Sequence, residues 1–479
     1  MSLYTPFYLL FLLTVVVLYW LLPGGMWRKL FLLGASYLFY ALVDLRFVPI
    51  LLGLSLITFF VGRSISNQPR ARYLLWIGII TNLGTLVLYK YFNFFVDNVA
   101  GSLSALGVHM NAVTITWLLP IGISFYTFQS ISYLVEVKRG KVNAEGNLID
   151  FLLYLTFFPK LIAGPLVKPE IFLHQEKSIP ISLDKKSVQS SLGLLLLGLV
   201  KKMVIADSLA SQSVVAFRAA ALPVDDVSFP TPLFMFGFYL YAFQIYADFS
   251  GYTDIARASA KLLGYRLPEN FQQPYLSSTI TMFWNRWHMT LTQWFREYLF
   301  YPLSRHLLTV YGRKYQRSIQ VITTLITMGL IGLWHGAAWT FICWGIWHGA
   351  LLCIERFATI KNRNRWITLI RGVLVFHLVG IGWILFGSTS MPAAVRFLRG
   401  LFAFEQMDWL SYYLPPVILT ALLVFGIDIF QRLKLFDRIA IRFNWKAVVV
   451  TAAVVVLVGL YVLNIARGEG AYPFIYGQF

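Results

Sequence analysis

Charged side chains are scarce in this chain. They make up 13% of its 479 residues, against about 25% in soluble domains. That scarcity excludes an ordinary water-soluble fold of this length. Cysteine is almost missing too: only Cys343 and Cys353 occur, both within one apolar run, which supports neither a disulfide framework nor a zinc site. Acidic residues number 21 against 40 Lys and Arg, for a formal net charge of +19. In a soluble protein that excess suggests nucleic acid, but here the basic residues sit in short clusters between apolar runs. The positive-inside bias accounts for them, and no nucleic-acid partner is expected. The N-terminal apolar run lacks the basic region and small-residue cleavage pattern of a signal peptide, so it reads as a retained first helix.

What is plentiful is apolar sequence: 58% hydrophobic, 17% aromatic, mean hydropathy +0.67. At about 20 residues per ~30 Å of hydrocarbon, roughly eleven to thirteen stretches are long enough to span. Backbone in lipid must satisfy its own polar groups, so these runs predict helices. The expectation is an all-α, polytopic integral membrane protein with roughly eleven transmembrane helices plus re-entrant and interfacial ones. Residues 1–479 read as a single membrane-embedded domain in a lipid bilayer.

Spans are predicted at 4–22, 30–43, 47–62, 73–95, 117–135, 233–263, 369–386, 416–430 and 447–465. Basic clusters at 63–72, 138–141, 313–317 and 356–371 alternate with loops poor in Lys and Arg, such as 97–116. They mark the cytoplasmic face and put the N-terminus on the other side. Two prolines, a glycine and Lys160 break the apolar stretch 157–165, which predicts a broken or re-entrant segment. Lys160 is expected to snorkel. A further apolar segment is read as ending at Lys201-Lys202.

Ionisable residues inside such runs are functional-site candidates. Trp334-His335-Gly336-Ala337 places an imidazole between an indole and a glycine, and the pattern returns as Trp347-His348-Gly349-Ala350. On one continuous helix thirteen positions turn about 220° and rise ~20 Å, so the two histidines share a site only if the helix breaks. His335 is read as functional, and His348 and His377 as packing residues. Asp248 and Tyr252 are i, i+4 neighbours, and Asp254 lies i, i+3 from Arg257. The two carboxylates clamp helices or, with Tyr252, line a channel. The stretch 281–303 is too polar for a lipid-facing span and too aromatic for a solvated loop. It reads as an interfacial or cavity-lining helix with Trp284, His288 and Thr292 on one face.

These residues resemble the membrane-bound O-acyltransferase family, in its bacterial alginate O-acetyltransferase-like branch. The resemblance covers nearly the whole chain. Its most specific pieces are Asp248-Phe249-Ser250-Gly251-Tyr252-Thr253-Asp254, Phe283-Trp284-Asn285-Arg286-Trp287-His288 and Leu333-Trp334-His335-Gly336-Ala337. The tail departs from the family ending at Gly477. The resemblance implies a helical ring around a central funnel, with His335 at its bottom and His288 as a second site histidine. It also implies acyl transfer from a cytoplasmic thioester, either coenzyme A or an acyl carrier protein, to an extracytoplasmic hydroxyl. No bound cofactor or metal is implied. A periplasmic partner protein and a polysaccharide acceptor are. Relatives that D-alanylate teichoic acids or acetylate peptidoglycan or cellulose share the motifs.

The chemistry suits histidine, whose unperturbed pKa of ~6.5 lets it take and return a proton near neutrality. His335 is expected to act as general base, with His288, Asn285 or Arg286 stabilising the oxyanion. Trp284, Trp287 and Trp334 are expected to line the passage for the donor. The rival reading is a transporter or flippase, which would equally explain the broken segment and the buried carboxylates.

Overall fold

The computed structural model describes residues 2–108, 114, 117–176, 182, 184–222, 229–358, 364–433 and 475, and among these every regular element is helical. The predicted span 447–465 and, except for Ile475, the aromatic tail lie outside the described residues. Contacts divide the chain into two compact units: Met1–Ser187 with Ala256–Pro268, and Val188–Ile255 with Glu269–Phe479.

The first unit carries α1 (Pro6–Leu21), α2 (Met26–Asp44), α3 (Val48–Asn67), α4 (Arg72–Leu86) and α5 (Phe92–Ala105). It continues with α6 (Ile123–Lys138), α7 (Leu148–Thr156), α8 (Phe158–Leu161) and α9 (Pro169–Glu176). Local chemistry sets the starts. Thr5 accepts a hydrogen bond from the Tyr8 amide just ahead of Pro6, and Asn147 does the same for Ile149. The helix entering the predicted loop 97–116 runs on to Ala105.

The predicted break is present between α7 and α8, where Phe157 is non-helical. Lys160, however, does not snorkel. It is fully buried, donates to Gln129 Oε1 and the Tyr154 carbonyl, and lies 4.9 and 5.2 Å from the Tyr154 and Phe172 ring centroids. Neutral acceptors and aromatic faces take the place of water around it.

In the second unit α10 (Lys185–Leu199), a π-helical stretch (Val200–Ala206) and α11 (Asp207–Ala221) follow without interruption. Lys201 and Lys202 are therefore mid-helix and buried, not the end of an apolar segment. α12 (Thr231–Leu262) follows, then α13 (Ile280–Trp284), α14 (Met289–Phe295), a second π-helical stretch (Arg296–Phe300) and α15 (Tyr301–Tyr311). The last elements are α16 (Gln316–His335), α17 (Trp339–Phe357), α18 (Arg365–Gly387), α19 (Met391–Leu401) and α20 (Leu410–Arg432).

Five helical stretches among the described residues are long and apolar enough to cross a membrane: Met26–Asn67, Arg72–Ala105, Arg313–His335, Arg365–Gly387 and Met407–Arg432. Apolar runs outnumber these because several are used by short or broken helices such as α1 and α7.

α16 and α17 form a hairpin in backbone contact. A Cβ on Gly345 would lie 2.1 Å from the Met328 carbonyl oxygen, and one on Gly332 would lie 2.1 Å from that of Phe341. Only glycine fits at either place. Gly345→Ala should lower the thermal midpoint of the detergent-solubilised protein by the equivalent of about 1–3 kcal/mol or more. Gly53→Ala, where a Cβ meets nothing within 4 Å, should leave it unchanged. Equal midpoints for the two variants would contradict the backbone contact.

Candidate active site

His335 is the last residue of α16. The next residue, Gly336, is extended, and the chain re-enters a helix at Trp339. This is the helix break that a shared histidine site requires. The His335 imidazole is 2% exposed, with ring centroids of Trp334 at 4.8 Å, Trp344 at 5.1 Å and Phe386 at 5.3 Å.

Reversal of the chain brings His348 to the same indole. Trp344 and His348 are i, i+4 on α17, and the His348 ring lies 5.1 Å from Trp344. Trp344 thus stands between the two imidazoles. His348 also meets Trp284 edge-on at 5.2 Å and stacks on Phe283 at 6.2 Å. Its neighbour Trp347 donates to the Leu378 carbonyl at 2.8 Å, fastening α17 to α18.

The stretch 281–303 is not one helix. α13 ends at Trp284, and His288 adopts left-handed backbone angles (φ 41°, ψ 53°) as the N-cap of α14. That conformation is uncommon for a non-glycine residue and concentrates at functional positions. Asn270 holds the turn. Its carbonyl accepts from the Met289 amide at 3.0 Å, and its Oδ1 accepts from the Thr290 amide and hydroxyl at 3.2 and 2.7 Å. The cap is thus supplied from another loop, and the His288 side chain faces inward, 4.7 Å from Phe249 and 6.1 Å from Trp334.

Trp284, His288 and Thr292 are consequently not on one continuous helix: Trp284 and Thr292 line one cavity, and His288 does not. Trp284 sits by His348, while His288 and His335 flank Trp334. Trp287 is fully buried against Phe283, Tyr246 and Trp383 and lines neither described cavity. Asn285 is exposed and accepts from Arg296 at 2.8 Å. Arg286 is half-buried, with its carbonyl taken by the Gln272 amide.

A cavity of about 420 Å³ leads toward this cluster, within the roughly 300–1,000 Å³ range of small-molecule sites. Its charged lining residues are Arg296, Glu355 and Arg356, and Trp284, Met328 and Ile331 are among its apolar ones. Ile331 is one helical turn from His335. From Gln320 to Ile331 the cavity follows α16 for about 16 Å at 1.5 Å per residue. A larger, apolar cavity of about 820 Å³ is lined from α12, α18 and α20. His377 lies at its wall, 2.9 Å from the Tyr239 hydroxyl and 2.8 Å from the Val373 carbonyl, and contacts none of the three site histidines.

The buried carboxylates form a clamp. Lys202 lies 2.9 Å from Asp207 and 2.6 Å from Asp248, and Lys201 lies 2.9 Å from Asp254. Asp254 also accepts from Gln431, Asp248 from the Ile475 amide at 2.8 Å, and Asp428 from the Tyr246 hydroxyl. Asp248, Tyr252 and Asp254 line neither described cavity. Of the two sequence readings, the geometry is that of the clamp, because Asp248 and Asp254 are each occupied by a lysine that lies mid-helix. Nothing in the sequence marks Asn270, a loop residue, or Trp344 and Trp383 as site residues by type alone. The one available signal was the i, i+4 spacing of Trp344 and His348.

A further polar feature lies beside His335. The indole N–H groups of Trp284, Trp344 and Trp383 and both nitrogens of His348 are buried, with no hydrogen-bond partner among the described residues. Each unsatisfied group costs about 1–3 kcal/mol.

Three buried histidines gathered around the aromatic rings of a membrane-length helical hairpin, with a cavity alongside, fit an integral membrane protein. Residues 143–394, more than half of the chain and all three histidines, match the model of the membrane-bound O-acyltransferase family. The chain is 37% identical over 420 residues to the probable alginate O-acetylase AlgI of Azotobacter vinelandii, covering 87% of this chain and 80% of that protein. It is 38% identical to the probable alginate O-acetylase AlgI of Pseudomonas syringae pv. tomato, over 87% and 78%. It is 32% identical to a peptidoglycan O-acetyltransferase of Helicobacter pylori, over 78% and 73%. The chain belongs to the membrane-bound O-acyltransferase family and is an O-acyltransferase.

Removing one partner of a buried ion pair strands the other, which typically costs about 3–5 kcal/mol. Lys201→Met should therefore sharply reduce folded yield and thermal midpoint. Lys201→Met with Asp254→Leu should recover much of the loss. An additive double variant would show the pair to be uncoupled.

Proposed function

We propose that this chain moves an acetyl group from a thioester donor at the cytoplasmic face of the bacterial inner membrane to a hydroxyl on the opposite side. The acceptor is an alginate-type exopolysaccharide, reached through an extracytoplasmic acetyltransferase partner protein. The observation that carries this reading is the cavity, lined by Arg296 and Arg356, that follows α16 to within one turn of His335. Similarity to the alginate O-acetylases favours acetyl and alginate, and similarity to the peptidoglycan O-acetyltransferase makes peptidoglycan the second acceptor.

Thioester donors are anionic, whether coenzyme A or a phosphopantetheinyl carrier protein. The exposed cations Arg313, Lys314 and Arg317 precede and open α16, and Arg356 lies in the last turn of α17 at the same end of the hairpin. They would draw the donor over about a Debye length, ~8 Å at physiological salt. His335 is at the other end, twenty residues away or about 30 Å, where the acceptor would arrive.

In this reading His335 takes the acceptor hydroxyl proton as the oxygen attacks the thioester carbonyl, and returns it to the departing thiolate. His288 lies across Trp334 and orients that indole against His335. Asn285 fits an oxyanion role poorly, since it faces solvent and is committed to Arg296.

His335→Ala should lower transfer from labelled acetyl thioester to polymer by at least ~10²–10⁴-fold while membrane insertion persists. Undiminished transfer would remove His335 from the mechanism. Export of polymer without thioester cleavage by the purified protein would favour the transporter. Arg296→Glu with Arg356→Glu should raise KM for the donor, more at low salt, and leave the acceptor KM alone. A salt-independent change would remove the electrostatic reading of the cavity mouth.

A further inference from the structure

The unpartnered polar atoms around His348 do not serve packing. Three indoles are donors only, and a neutral imidazole brings one donor and one acceptor. Four donors against one acceptor suit an occupant made of acceptor oxygen. Apolar rings would fill the same volume without stranding any of these groups.

Position narrows the occupant. Trp284 forms part of the inner wall of the 420 Å³ cavity and lies 5.8 Å from Trp344. Trp344 in turn touches both His335 and His348 at 5.1 Å. The cage therefore stands between the cavity's end and the base. Gly382 of α18 closes it: a Cβ there would fall 2.7 Å from His348 Nε2 and 3.3 Å from Trp344 Cδ1, the carbon bonded to the indole nitrogen. The polar edges of the two rings converge on one point of backbone, where a side chain has no room.

We propose that the Trp344 indole N–H, with the His348 imidazole N–H beside it, forms the oxyanion site of the transfer. The proposal rests on the thioester reading above and replaces the packing role first read for His348. As the acceptor oxygen bonds to the carbonyl carbon, its proton passes to His335 and the carbonyl π pair moves onto oxygen. Trp344 and His348 hold that oxyanion. Collapse restores the carbonyl, breaks the carbon–sulfur bond, and sends the thiolate out with the proton from His335.

Losing one oxyanion donor typically lowers kcat by ~10²–10³-fold. Trp344→Phe keeps an aromatic ring and removes the N–H, so kcat with acetyl-coenzyme A should fall by that order while KM and thermal midpoint hold. A direct readout uses the ketone analogue of acetyl-coenzyme A, with methylene in place of sulfur and ¹³C at the carbonyl. Its infrared carbonyl band should shift down on the wild-type protein and much less on Trp344→Phe. A wild-type protein that does not bind the analogue would overturn the thioester reading and this proposal together. Binding with the same band in wild type and variant, and equal kcat, would overturn the proposal alone. If Trp344→Phe fails to fold, His348→Gln, which keeps an N–H, should retain far more kcat than His348→Leu; equal kcat in those two would overturn the proposal.

Discussion

Backbone contact between α16 and α17 at Gly332 and Gly345 is the constraint on which the site depends. With no side chain between them, the two helices share one register, and that register places Trp344 opposite His335. A bulkier residue at either glycine would separate the helices by most of a side chain and withdraw the indole from the imidazole. The hairpin is packed this closely although lipid gives little hydrophobic drive for helices to associate, and small residues at interfaces are how membrane proteins obtain such contact.

Around the hairpin, polar groups are placed in two contrasting ways. In the clamp, each buried lysine has a carboxylate and each carboxylate has a donor, so the charges hold elements together. Near His335 the polar groups are left open to one another among aromatic rings. A protein interior tolerates such buried, unpartnered polarity only where something else compensates for it. Histidines, lysines and aspartates are all buried here, so residue type alone does not separate scaffold from site.

The helical class and the importance of His335 were legible because both rest on composition: long apolar runs exclude other folds, and an imidazole in such a run stands out. The arrangement around it was not. Periodicity assumes a continuous helix, and the residues that matter sit where helices stop. His288 is held in a left-handed turn by Asn270, eighteen positions earlier, and no spacing rule connects them. His348 looked like packing because only the hairpin returns its helix to the indole beside His335. Lys160 and Lys202 looked like boundary residues because sequence shows a cation and not the rings or carboxylates that enclose it.

Burial of Lys201 and Lys202 also bears on how the chain is threaded into its membrane. Orientation is set by basic residues near the membrane surface, and these two are neutralised by Asp254, Asp248 and Asp207 inside the protein. Without them, the nearest exposed basic pair is Lys185 and Lys186. From 185 to 201 is sixteen positions, or about 24 Å of helix, not far short of the ~30 Å of hydrocarbon in a bilayer. A topology drawn by counting every lysine would therefore misplace this segment by most of a membrane thickness, and the two cations that cause the error are the ones fastened most tightly inside.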